Sequence, residues 1–254
     1  MKNVTDMSDM ALVYAALLVL VAIILSNYQK LKLEKSIIIS VLRAIVQLCA
    51  VGYLLKYIFQ VNNFWLTLAM FLFICFNASW NAKKRSKNLS NSFTISFLSI
   101  TVGCVMTLSI LIFSGSIHFL PSQVIPITGM IAGNAMVAVA LLFNQLRDGF
   151  QSHRQEVLEK IALGGTVKQV SSQITKNAIR SALIASLDTA KTMGLVSLPG
   201  MMSGLIFAGI DPIKAIKFQI MVVFMLLGTS TVSTFIAANM GSHQFFDKKY
   251  QTLK

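Results

Sequence analysis

Seven blocks of this chain are apolar almost without interruption: residues 10–26, 36–57, 64–79, 94–114, 124–143, 181–210 and 215–238. Most are close to the ~20 residues that a helix needs to cross ~30 Å of hydrocarbon. The pattern predicts an all-α fold, a polytopic transmembrane helical bundle with about seven spans. The sixth block is the longest and least regular, because Pro199 removes a backbone donor and disfavours helix at Leu198. We expect a helix over 181–197 entering from the cytoplasm, then a bent or re-entrant continuation over 200–209.

One segment departs from this pattern. Residues 145–180 are polar and helix-periodic, with Val157, Ile161, Leu163, Val167 and Val170 spaced among Arg154, Glu156, Glu159, Lys160 and Lys168. Two short helices, over 156–163 and 167–174, are predicted to meet at Gly164 and Gly165, where glycine permits a sharp turn. An apolar stripe on so short a helix needs a partner surface or the bilayer interface to cover it.

Composition places the apolar blocks in lipid. Of 254 residues, 55% are hydrophobic and 12% charged, about half the ~25% charged share of a soluble domain. The mean hydropathy is +0.70. The opening MKNVTDMSDM carries one lysine and two aspartates and leads to no small-residue cleavage site, so the first block is expected to be a retained span. Cys49, Cys75 and Cys104 lie in apolar blocks without metal or disulfide spacing, and are expected to be inert core thiols.

The net charge of +13 is a topology signal. Sixteen basic residues lie in the odd-numbered loops and the carboxy-terminal tail, and four (Lys2, Lys56, Lys214, Lys217) in the amino terminus and even-numbered loops. The positive-inside rule then puts the amino terminus outside, and the carboxy terminus and residues 145–180 in the cytoplasm. No aromatic-interleaved module accompanies the charge, so no nucleic-acid partner is expected.

Catalytic chemistry is not indicated. No G-x-x-x-x-G-K-[ST] occurs, so the chain has no P-loop to cradle a nucleotide. His118, His153 and His243 are far apart, and no Ser/His/Asp set or His/Cys/carboxylate cluster is visible. The chain is expected to bind no cofactor and not to be an enzyme.

Polar groups inside the spans are the candidates for a pathway or for helix packing. Arg43 and Gln47 share one helix face; Arg43 either snorkels to the headgroups or faces a partner or wet cavity. Gly129 and Gly133, and likewise Gly200, Gly204 and Ala208, form small-residue grooves of the kind that lets helices approach. Asn134 must find a hydrogen bond in lipid. Broken helices such as the one at Pro199 and Gly200 often line transport paths. Asp188 and Lys191 are expected to pair near the cytoplasmic end of the sixth span. Met130, Met136, Met193, Met201 and Met202 are fillers of apolar helices or soft-metal ligands; a metal site stays unassigned.

Residues 156–165 resemble the cytoplasmic coupling helix of ABC-transporter permeases. The glycine stands five rather than six residues after Glu159, and Lys160-Ile161 replace Ala-Ala. Four stretches are similar, in order, to the Fet-type iron-export ABC permeases: LRAIVQLCAVGYLL (42–55), IPITGMIAGNAMVAVAL (125–141), LPGMMSGLIFAGIDPIKAIKFQI (198–220) and VVFMLLGTSTVS (222–233). The resemblance implies a permease over residues 1–254, multi-pass in the cell membrane, coupled through 145–180 to a separate P-loop ATPase. It also implies iron as cargo, although plant relatives are linked to aluminium tolerance and sugar-nucleotide export. Glu156, Glu159, Ile161, Leu163, Gly164 and Gly165 would then contact the ATPase or turn the elbow. A homodimer would complete the pathway. A self-contained secondary carrier or channel, or an ABC permease for a non-metal solute, is the alternative.

Overall fold

The computed structural model describes residues 9–61, 63–86, 91–195 and 199–246. Among them no strand occurs, and nine α-helices follow one another. These are α1 (Asp9–Tyr28), α2 (Glu34–Val61), α3 (Phe64–Arg85), α4 (Ser92–Phe113), α5 (Pro121–Ser152), α6 (Arg154–Ala162), α7 (Val167–Thr192), α8 (Gly200–Phe207) and α9 (Pro212–Ser242), with a 3-10 turn at His243–Phe245. Polar residues cap several ends. Asn63 accepts from the Trp65 amide at 2.9 Å at the start of α3, and Asp211 accepts from the Ile213 amide at 2.9 Å ahead of Pro212 in α9. Lys83, Lys84 and Arg85 fill the last turn of α3, where cations complement the helix dipole.

Among the described residues five helices are long and apolar enough to cross a membrane: α2, α3, α4, α5 and the stretch Pro212–Phe245. The apolar part Tyr14–Tyr28 of α1 is shorter.

The chain divides into two compact units. The first holds residues 1–61 with 207–209. In it, Ser26 Oγ donates to Glu34 Oε1 at 2.9 Å and accepts from the Leu33 amide at 3.2 Å, fixing the connection between α1 and α2. Ile58 is the one buried residue of α2. Cys49 is exposed on that helix, so it is not the core thiol expected; Cys75 and Cys104 are buried.

In the second unit α5 is central and packs against α3, α4, α7 and α9. Its Ile131, Val139, Leu142, Phe143 and Leu146 are wholly or almost wholly buried. Between α4 and α9 the interface is small and hydroxylated. Thr107 and Thr229 hydroxyls lie 2.7 Å apart, and a Cβ on Gly103 would collide with Ser233 Oγ. Close backbone approach and interhelical hydroxyl pairs are what hold helices together where lipid supplies no hydrophobic drive.

Two expected boundaries move. The helix of the fifth apolar block does not stop near residue 143, since α5 runs on to Ser152 and absorbs the start of the polar segment. Nor does the helix of the sixth block begin near 181: α7 is one helix from Val167 to Thr192. Between Gly165 and Gly194 the sequence holds neither glycine nor proline, so nothing stops the helix until Gly194 takes φ +87°. Residues 196–198 lie outside the described residues; Pro199 then opens α8 by accepting from the Ser203 amide at 3.0 Å.

Candidate functional site

The polar segment folds as an elbow of two helices. His153 ends α5 and opens α6, its amide donating to the Gly149 carbonyl at 3.1 Å. At the other end of α6 the Gly164 amide donates to the Ile161 carbonyl and the Gly165 amide to the Lys160 carbonyl, both at 2.9 Å. This pair of bonds is the Schellman termination. Gly164 is required by its φ of +86°, and Gly165 by space: a Cβ there would lie 2.7 Å from the Lys160 carbonyl oxygen. Thr166 and Gln169 then form a reciprocal capping box that starts α7.

The apolar stripe of α6 is covered by the chain itself. Val157 is buried, Ile161 is partly buried, and both pack in the core that includes Val170 and Ile174. Ile161 is therefore not a free docking side chain, contrary to the expectation. What α6 presents outward is Leu158 and Leu163, the latter 89% exposed. Glu156 pairs with Lys160 one turn on, which holds its carboxyl below the usual carboxylate range. Glu159 accepts from Gln155 Nε2 at 2.9 Å. Beneath α6 lies a cavity of about 340 Å³, whose polar lining includes Asp148, His153, Glu156, Lys160, Gln173 and Asn177.

The pathway and packing candidates separate. Arg43 and Gln47 are both exposed on α2, with no hydrogen bond or ion pair among the described residues. Asn134 finds its partner, donating to Ser230 Oγ at 3.0 Å. The predicted glycine grooves are open: a Cβ on Gly129, Gly133, Gly200 or Gly204 would meet nothing within 4 Å. Within this chain the close-packed glycines are others, Gly103, Gly149, Gly165 and Gly241. Sequence spacing could not find them, because none belongs to a small-x-x-x-small pair of glycines. Near Pro199, Met193 and Met202 line a cavity of about 420 Å³ with Gln219, whose Nε2 donates to Met193 Sδ at 3.3 Å. Among the described residues no group of three or more His, Cys, Asp or Glu could hold a metal ion.

Asp188 and Lys191 pair at 3.3 Å as expected. Gly149 of α5 meets Ile174 of α7, and Asn134 shares a small cavity with Thr189, so the two helices run antiparallel with fifteen residues between the two contacts on each. In that register Asp188 is level with Ala135, near the middle of the apolar block 124–143. Because α7 starts at Val167, the pair stands in its last two turns.

Residues 9–246 match the family described as "Uncharacterised protein family (UPF0014)". The chain is 57% identical to the "Probable iron export permease protein FetB" of Escherichia coli (strain K12), over 98% of this chain and 96% of that protein. It is 39% identical to "Protein ALUMINUM SENSITIVE 3" of Arabidopsis thaliana, over 93% of this chain and 87% of the other. It is 37% identical to "UPF0014 membrane protein YjkA" of Bacillus subtilis (strain 168), over 91% and 92%. No solved structure matches.

Proposed function

The chain belongs to the UPF0014 family of multi-pass membrane proteins, and from that premise we propose that it is the permease subunit of an iron exporter driven by a separate P-loop ATPase. The observation that carries cargo and direction is the 57% identity, across nearly the whole chain, to a protein named for iron export. A motor must come from outside, because the chain has no P-loop. The elbow is suited to receive it. α6 continues from α5 and is tied to α7 through Gly164–Thr166, so a pull on α6 reaches two long helices as a rigid-body displacement. Leu158, Leu163 and Glu159 would meet the ATPase.

Seven spans, with α7 and α8 together as the sixth, and an external amino terminus agree with the distribution of lysine and arginine. Two copies would enclose the path, and the open face at Gly129 and Gly133 suits close approach of a second membrane helix. A self-contained secondary carrier is the second reading, and one observation favours it: Asp188 is a carboxylate within the apolar block 181–210, and intramembrane carboxylates serve ion coupling.

Co-purification with the ATPase and ferrous-iron uptake into inverted membrane vesicles test the proposal. Uptake that needs both chains and ATP supports the exporter. Uptake driven by an imposed proton gradient with the ATPase deleted supports the carrier instead.

A further inference from the structure

We propose that the groove between α4 and α9 holds one acyl chain of an anionic phospholipid, whose phosphate sits on Lys217. The groove has a volume of about 410 Å³ and apolar walls, with Met106 and Ile110 from α4 and Met221 and Phe224 from α9. One end opens at Lys217 and Ser116, and the other reaches Gly228. Gly228 leaves room there, since a Cβ on it would meet nothing within 4 Å. From Lys217 to Gly228 the helix rises ~16 Å, about half of the ~30 Å hydrocarbon thickness and so the depth of one leaflet.

Lys217 stands in the first turn of the apolar block 215–238, where a lysine reaches out to the headgroups. It is exposed, and among the described residues its ammonium has no hydrogen bond or ion pair. Lys214, one turn ahead on the same helix, is exposed and unpaired as well. The neighbouring Asp211 carboxylate is spent on the Ile213 and Lys214 amides as the cap of α9. At the mouth, Ser114 Oγ donates to the Leu111 carbonyl, so Ser116 Oγ, 2.8 Å away, spends its proton on Ser114. The two ammoniums are therefore the donors that a phosphate finds, and lysine binds phosphate as a point charge. They are also two of the four basic residues on the side that the positive-inside count leaves sparsely charged. An anionic headgroup accounts for them. A helix of a second copy would follow α9 through the full depth, whereas an acyl chain ends within its leaflet, as the groove does near Gly228.

The test uses the full chain in phosphatidylcholine bilayers, with Trp65→Phe and Trp80→Phe removing both native tryptophans and Phe224→Trp reporting from the groove wall. Lipids with brominated acyl chains quench that tryptophan on contact. Brominated phosphatidylglycerol should quench at roughly fivefold lower mole fraction than brominated phosphatidylcholine, the preference that one lysine near the surface gives. Lys217→Gln should remove most of that preference. Gly228→Leu, which fills the far end without meeting a neighbour, should weaken quenching roughly fourfold at an unchanged melting temperature, as for one methylene kept out. On a Cys49→Ser background, which removes the exposed native thiol, two copies of Phe224→Cys should not crosslink. None of these readouts involves cargo or ATPase, so the exporter reading stands or falls separately. Equal quenching by the two lipids, or a preference that survives Lys217→Gln, overturns the inference. Unchanged quenching in Gly228→Leu would place the chain outside the groove and overturn it too, as would crosslinking of Phe224→Cys, with a second copy as the cover.

Discussion

Gly149 of α5 and Ile174 of α7 lie so close that a Cβ on the glycine would stand 2.8 Å from Ile174 Cγ2. The contact sets the register of two helices that continue from the elbow into the bundle. A force on α6 therefore cannot slide one past the other, and both must move together.

Gly149→Leu should overpack this crossing at a cost of about 1–3 kcal/mol and lower the melting temperature of the purified chain by several degrees. Gly129→Ala, whose Cβ meets nothing within 4 Å, should melt at or slightly above the wild-type temperature, since alanine favours helix by about 1 kcal/mol over glycine. Equal melting of Gly149→Leu and wild type would show that the register is not held there.

The two apolar residues at the end of α6 should behave oppositely. Leu163 is almost fully exposed, so Leu163→Asp should leave abundance and melting unchanged while roughly tenfold weaker binding of the ATPase follows from losing one well-buried contact. Ile161 packs on the chain's own core, so Ile161→Asp should reduce abundance by unfolding the elbow. Pull-down and melting on the two variants separate these outcomes. Normal ATPase binding by Leu163→Asp would remove this residue from the docking face.

Arg43 is exposed on α2 without a partner among the described residues. An unpartnered arginine at depth costs between ~3 and ~15 kcal/mol, which points to a contact with a second copy or with the path. Arg43→Leu should impair crosslinked dimer yield or iron transport at normal abundance, and Arg43→Lys should restore only part, because lysine lacks the planar fork. Full transport and assembly by Arg43→Leu would make Arg43 a headgroup anchor.

The all-helical architecture was legible because uninterrupted apolar blocks leave a chain in lipid few other choices. The turn of the elbow was legible too, because it falls at Gly164, a residue type that permits it. Helix lengths were not. Polarity marks where a helix leaves the hydrocarbon rather than where it ends, so α5 runs on past its apolar block to Ser152 and α7 starts well before its own, at Val167. The seam of Thr107, Gly103, Thr229 and Ser233 also escaped notice, because hydroxyl residues alone in an apolar block do not say which helix they face. Packing supplies that pairing.

The proposed topology is checked by single cysteines on the Cys49→Ser background. Ser152→Cys should react with an impermeant thiol reagent only from the cytoplasm, and Ile213→Cys, which is exposed at the start of α9, only from outside. Cytoplasmic labelling of Ile213→Cys would make α8 re-entrant and reduce the number of spans.

The most direct test of a permease driven through its elbow is ATP hydrolysis by the partner in proteoliposomes with ferrous iron, measured with no permease, with the wild-type chain and with Gly164→Leu. A leucine at φ +86° strains the turn by about 1–2 kcal/mol without touching the bundle. Hydrolysis should rise with the wild-type chain and return to the partner-alone rate with the variant, while the complex stays intact. Equal rates with and without the wild-type chain, or full stimulation by Gly164→Leu, would contradict it.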